Sequence, residues 1–204
     1  MKIKILLKKI FLIFILTGFV VFVVLLSNIT HKKIETSGEL SKIISSSFYA
    51  QAKNITPLPV HIKIPKLSID ATIEDVGITP DGAMDVPSGP SDVAWFDLGP
   101  RPGEIGSSVI DGHSGYKDNQ PAVFDNLGKL QKGDNIYVED ADGTILTFVV
   151  QGFRSYGQHE NARDVFSSNN GIAHLNLITC SGTWNDIEKT HSNRLVVFTD
   201  KINS

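Results

Sequence analysis

The stretch His174-Leu175-Asn176-Leu177-Ile178-Thr179-Cys180 places Leu175, Leu177 and Thr179 on one face and Asn176, Ile178 and Cys180 on the other. Side chains of an extended chain alternate between faces, so a period of two over seven residues predicts a β-strand. The same signal recurs on both sides of it. Arg194–Asp200 lies downstream, and Ser107–Asp111, Asn135–Asp140 and Thr144–Phe153 lie upstream. Further back, Val60, Ile62 and Ile64 alternate with His61 and Lys63, and Leu67, Ile69, Ala71 and Ile73 continue the pattern after Pro65. Turn signals separate the segments: Pro80-Asp81-Gly82, Ser88-Gly89-Pro90, and Asp142-Gly143, the last predicting a hairpin over Glu139–Thr144. Many short strands with frequent turns predict an all-β barrel or sandwich. One short helix is expected where Val123, Phe124, Leu127 and Leu130 share a helical face ahead of Gly133-Asp134.

The chain has 204 residues, enough for one domain with attachments, and 41% hydrophobic with 20% charged residues excludes a disordered chain. The formal charge of −3 hides a division: residues 1–33 carry +6, residues 34–57 carry none, and residues 58–204 carry −9. A body this acidic is ill suited to gripping nucleic-acid phosphates, so no nucleic-acid partner is expected. Cys180 is the single cysteine, which excludes an internal disulfide and a four-cysteine zinc site. The six histidines show no metal-ligand spacing, and no metal site is expected.

The basic end has its own explanation. Lys2, Lys4, Lys8 and Lys9 precede an apolar run from Ile10 to Leu26, 17 residues broken only by Thr17 and Gly18. As a helix this run spans roughly 25 Å, near the thickness of the hydrocarbon core. No small-residue cleavage pattern follows it, so an uncleaved signal anchor is expected rather than a signal peptide. Four lysines before the run and two after it, Lys32 and Lys33, favour a cytoplasmic N-terminus and an extracytoplasmic body. The expected organisation is a cytoplasmic tail over 1–9, a transmembrane anchor over 10–26, a tether over 27–57 and a folded domain over 58–204, making a single-pass protein of the cell membrane.

Several residues bear chemistry, and taken singly each has a structural explanation. Cys180 sits where a strand meets the loop Ser181-Gly182-Thr183, and fits a buried core thiol. His113 follows Ser107–Asp111 at another strand-to-loop edge. Arg194 opens the last strand, where a solvated arginine is ordinary. Asp111, two residues before His113, fits a turn residue, with a Cys-His-Asp arrangement as the alternative.

Taken together these pieces resemble a sortase, a family of membrane-anchored cysteine transpeptidases of mainly Gram-positive bacteria. The resemblance rests on Leu177-Ile178-Thr179-Cys180, on Gly112-His113 upstream, and on Arg194 fourteen residues after the cysteine. It extends over about residues 58–202, through Pro121-Ala122-Val123-Phe124 with Leu127 and Leu130, Gly133-Asp134, and Arg194-Leu195-Val196-Val197. The arrangement looks most like the class F-type or related class E-type branches, and less like class A. Two features depart from the pattern: Asn176 stands where the family's TLxTC motif begins with threonine, and Ser181-Gly182 follows the cysteine. Neither removes a catalytic group.

The resemblance implies a closed barrel of about eight strands with one or two short helices. It also implies a reaction. Cys180 is the nucleophile that carries an acyl thioester, His113 the general acid and base, and Arg194 the group that stabilises substrate and oxyanion. A sorting signal similar to Leu-Pro-x-Thr-Gly is cleaved after threonine and passed to an amine on a peptidoglycan precursor or a pilin. No cofactor is implied, and calcium at the acidic turn around Asp140 and Asp142 is not legible. The strand ending at Cys180 and the one starting at Arg194 are expected side by side and antiparallel, with Ser181–Asn193 as a loop beside the site. Tyr156–Gly171 is expected to wall a substrate groove, with Ala162, Val165, Phe166 and Thr179 as contacts. A hydrolase that uses water as acceptor shares every one of these residues, while a catalytically silent surface module needs none of them.

Overall fold

The computed structural model describes residues 56–115, 120–187 and 190–202. The expected tail and anchor, and nearly all of the tether, lie outside the described residues. Among those described, no helix is long and apolar enough to cross a membrane.

Alternating sequence becomes alternating burial. The strands are β1 (Pro59–Ile64), β2 (Ile69–Val76), β3 (Val93–Phe96), β4 (Gly106–Gly112), β5 (Asn135–Asp140), β6 (Ile145–Gly157), β7 (Ala173–Asn185) and β8 (Thr190–Lys201). They close into a barrel in the order β1-β2-β3-β4-β7-β8-β6-β5. The pairs β2/β3 and β4/β7 are parallel and the rest antiparallel. Closure gives each of these eight strands a paired neighbour on both sides.

The barrel interior takes one face of each strand: Ile62 and Ile64, Ile110, Ile136 and Val138, Phe148 and Val150, Leu175 and Leu177, and Val197. Each such side chain contributes about 1.5–3 kcal/mol relative to exposure. A second apolar cluster forms on the outside, where Val109, Tyr156, Val165 and Val196 pack together. Its cover is the β6–β7 connection, which holds a one-turn helix, α1 (Arg163–Phe166). Strands β4, β7, β8 and β6 are therefore apolar on both faces over part of their length, the usual cause of a continuous hydrophobic run such as Leu195–Phe198.

Three expectations change. Residues 123–130 form turns and a 3-10 helix over Leu127–Lys129, not an α-helix. Phe124, Leu127 and Leu130 are still buried, but the Asp125 carboxylate tightens the turn by accepting from the backbone N–H groups of Gly115 (2.7 Å) and Ala122 (2.9 Å). Segment 181–193 is not an open loop: β7 and β8 continue as a ribbon to Asn185 and Thr190, with an irregularity between Ser181 and Trp184. Tyr156, expected in the groove wall, is the penultimate residue of β6. The Glu139–Thr144 hairpin is present, with Asp140 Oδ1 accepting from the N–H groups of Asp142 and Thr144.

Candidate active site

Cys180 and Arg194 are direct partners across the antiparallel pair β7/β8. The parallel pair β4/β7 sets Asp111 against Ile178, so two residues further along His113 comes level with Cys180. On the other side, Tyr156 of β6 pairs with Arg194. Directly paired residues project from the same face of a sheet. One row therefore crosses β7, β8 and β6 in the order Cys180, Arg194, Tyr156, and the β4/β7 register carries it on to His113, one residue past the end of β4. It lies on the outer face, because Leu177 and Thr179, which alternate with Cys180, are buried inward.

Each group is held by its neighbours. His113 Nε2 is 2.9 Å from the Pro87 carbonyl oxygen; a carbonyl only accepts, so Nε2 carries the proton in that contact. The backbone carbonyl of His113 accepts from Phe124 N–H at 2.9 Å. Gly112 lets this happen: a Cβ there would lie 2.5 Å from the Phe124 ring. The ring packs onto bare backbone and fixes where the chain leaves β4, and with it His113. Thr179 Oγ1 donates to the Gly112 carbonyl at 2.6 Å, tying β7 to β4 immediately before the cysteine.

Arg194 Nη1 donates to the carbonyls of His191 (3.1 Å) and Asn193 (3.0 Å), and Nη2 donates to Thr190 Oγ1 (2.9 Å). Three of its five N–H donors are thus anchored at the start of its own strand. Among the described residues, Nε–H and one Nη2 hydrogen remain for a ligand. This is the pre-set fork that an oxyanion or a carbonyl requires.

Two opposing effects act on the thiol. Arg194 pulls the Cys180 thiol toward ionisation, as its charge requires, but burial pushes the other way and is the larger effect. Asp111 adds to the upward push, so the thiol keeps its proton more firmly than a free cysteine. Asp111 itself is pushed up to about 7, chiefly by burial, against the pull of Arg194 and a hydrogen bond from the Gly112 backbone. It is a strand residue of β4 and not the turn residue expected. Its alternation with Ile110 and its match with Val109 carried this signal in the sequence.

The residues expected to contact substrate fall into two groups. Thr179 (2% exposed) and Val165 (0%) present no surface to a ligand: one fastens β7 to β4, and the other is the centre of the outer cluster. Ala162 and Phe166 are less enclosed, Phe166 standing edge-on to Phe96 with centroids 5.6 Å apart. The wall they belong to is tied down at several points. Asn176 Nδ2 donates to the Val165 carbonyl at 2.6 Å, Tyr156 Oη donates to Asp164 at 2.7 Å, and Arg154 reaches Glu160 and Asp164 while lying over the Tyr156 ring. Asn176, the departure from the TLxTC pattern, is thus a wall anchor. Sequence reasoning missed that role, and nothing in the strand pattern signals it. Among the described residues no group of three or more histidine, cysteine or acidic side chains is placed to hold a metal.

Comparison with known proteins agrees with this fold. The model of the sortase domain family matches residues 62–202, about seven-tenths of the chain. Solved structures with the same fold include sortase C-1 from Actinomyces oris (TM-score 0.56, 24% identity, 78% of this chain and 82% of that one). A lid mutant of sortase A from Corynebacterium diphtheriae matches with TM-score 0.56 at 20% identity over 74% of each chain. A Clostridium perfringens sortase D5 transpeptidase matches with TM-score 0.54 at 22% identity over 78% of this chain and 89% of that one. A search of curated proteins returns no match. With a closed eight-strand barrel, a family model spanning nearly all of it, and a histidine, cysteine and arginine in one row, the chain belongs to the sortase family of cysteine transpeptidases.

Proposed function

We propose that the protein is a membrane-anchored transpeptidase that cuts a Leu-Pro-x-Thr-Gly-like sorting signal after threonine and transfers the acyl part to an amine. The observation that carries this reading is the row His113–Cys180–Arg194. Acyl transfer needs a nucleophile, a proton carrier and an oxyanion partner, and the row supplies one of each.

In the first half-reaction Cys180 Sγ passes its proton to the His113 ring and adds to the threonine carbonyl carbon. Negative charge develops on the carbonyl oxygen, where the remaining N–H donors of Arg194 meet it. The C–N bond then breaks, His113 donates the proton that the departing amine needs, and a thioester remains on Cys180. In the second half an acceptor amine loses a proton to His113 and adds to the thioester. The C–S bond breaks and the thiol is restored. The acceptor is an amine of a peptidoglycan precursor or a pilin lysine, and the branch is class F-type or E-type. The apolar run 10–26 anchors the chain with its domain on the outer side of the membrane.

A transpeptidase and a hydrolase differ only in what resolves the thioester. Incubating the full chain with a Leu-Pro-x-Thr-Gly peptide library, with and without an added amine, separates them by product mass. An amine-linked product that grows with amine concentration at the expense of free acid supports transfer. Free acid alone at every amine concentration overturns it in favour of hydrolysis.

A further inference from the structure

The reaction above uses three residues of one row and leaves a fourth ionisable group beside them unused. Asp111 occupies the next row down on the same outer face, level with Ile178 and Val196. Cys180 lies two residues beyond Ile178 on that face, a diagonal neighbour across the parallel pair β4/β7, and a strand spacing of about 4.8 Å with two residues at about 3.3 Å puts such backbone positions about 8 Å apart. The surroundings of Asp111 are otherwise apolar: Val109 before it on β4, Ile178 and Val196 beside it, and Ala94 opposite it on β3. Among the described residues, the ionisable groups coupled to it are Arg194 from β8 and Cys180 from β7, and His113 follows two residues later, past the end of its own strand. Asp164 of α1 is engaged by Arg154 and Tyr156.

We propose that Asp111 is a positioning residue for the transfer reaction, and that its charge state decides how readily Cys180 gives up its proton. A negative carboxyl at this place opposes a second negative charge on the neighbouring sulfur. It also claims part of the positive charge of Arg194 that otherwise serves the thiolate and the oxyanion. A protonated Asp111 does neither. The reactive arrangement is therefore the one with the proton on Asp111, and acid and alkaline conditions select different arrangements of the same four groups. The tilt of Asp111 toward its neutral form by burial, up to about 7, places this choice within the physiological range.

The proposal takes its importance from the transpeptidase reading, but its test needs only the thiol. Cys180 is the single cysteine, so alkylation of the full chain by iodoacetamide reports on that sulfur alone. Rates are measured between pH 5 and 10 for wild type, Asp111→Asn and Asp111→Glu, with circular dichroism to show that each is folded. Asp111→Asn keeps the shape and removes the charge. It is expected to alkylate roughly threefold faster or more at pH 7, with its inflexion moved to lower pH. Asp111→Glu keeps an acid in place and is expected to keep the wild-type inflexion. Should Asp111→Asn fail to fold, Asp111→Ser, smaller and also neutral, carries the same expectation. A folded neutral variant whose profile superimposes on that of wild type overturns the proposal. A protein that never transfers a peptide but shows the shifted alkylation profile counts against the enzyme reading and leaves this one standing.

Discussion

Arg194 stands directly opposite Cys180 across β7/β8, yet its guanidinium is fastened to Thr190, His191 and Asn193 and not to the sulfur. The opening of β8 holds the fork, and the β7/β8 pairing sets Arg194 opposite the cysteine. Lysine cannot reproduce this, because its ammonium is a point charge without a planar fork. Arg194→Ala is expected to lower kcat about 10²- to 10³-fold, the ordinary effect of removing an oxyanion donor. Arg194→Lys is expected to recover little of it. A lysine variant within a fewfold of wild type in a steady-state assay would mean that charge alone is required.

Gly112 and Phe124 form a matched pair. A methyl group on Gly112 would lie 2.5 Å from the Phe124 ring, and the ring cannot yield without moving the 121–127 turns. Gly112→Ala is expected to cost about 2 kcal/mol, measured by denaturant unfolding. It is also expected to lower activity by displacing His113. Adding Phe124→Leu makes room, and the double variant is expected to regain most of the lost activity. No recovery in the double variant would show that the glycine serves some other purpose.

Asn176 fastens the groove wall through the Val165 carbonyl, on a side chain only 2% exposed. Asn176→Ala removes that bond and leaves a buried carbonyl without it. A loss of about 1–2 kcal/mol is expected in thermal or urea unfolding. Because the wall moves and the row does not, KM is expected to rise more than kcat falls. The opposite pattern would place Asn176 in the chemistry.

Asp111 also links stability to pH. Its carboxyl is pushed up to about 7 in the folded protein, above its value in the unfolded chain. A group raised in this way favours folding while protonated, and that contribution is lost as pH climbs from the unfolded value through about 7. Asparagine carries no such cost. The Tm difference between Asp111→Asn and wild type is therefore expected to be small at pH 4, to grow in favour of the variant up to about pH 7, and to level off above it. A difference that does not change with pH would mean that the carboxyl is solvated.

The parts of this molecule that were legible in the sequence are those governed by period two. Asn135–Asp140 is β5 to the residue, and the alternation of Leu175, Leu177 and Thr179 against Ile178 and Cys180 gave the faces of β7 correctly. The parts that were not legible are those governed by contacts from afar. Val93–Phe96 is a four-residue strand with three consecutive buried residues and no alternation, formed because β2 and β4 flank it. The ribbon from Ser181 to Asn193 looked like a loop because Ser181-Gly182-Thr183 carries turn residues. Its strands persist because the irregularity absorbs Gly182 at φ 80° and the Trp184–His191 rings then meet across the pair. The 3-10 turn at Leu127–Lys129 shares its apolar spacing with a helix, while the bonds of Asp125 to Gly115 and Ala122 hold the turn before it, contacts that the spacing does not show. At the site, Cys180, His113 and Arg194 were legible as a set. Asp111 beside the thiol was the alternative to a turn residue, and the two could not be separated because its closeness to Cys180 depends on the parallel β4/β7 register.

The central claim is that Cys180 carries the acyl group, and intact-mass measurement of the full chain during turnover tests it most directly. With a Leu-Pro-x-Thr-Gly peptide, wild type is predicted to show an added mass equal to the acyl fragment. That mass should map to Cys180, disappear on addition of hydroxylamine or an amine, and be absent in Cys180→Ala. Cleavage of the peptide by a folded Cys180→Ala protein, or an adduct on any other residue, would contradict the account.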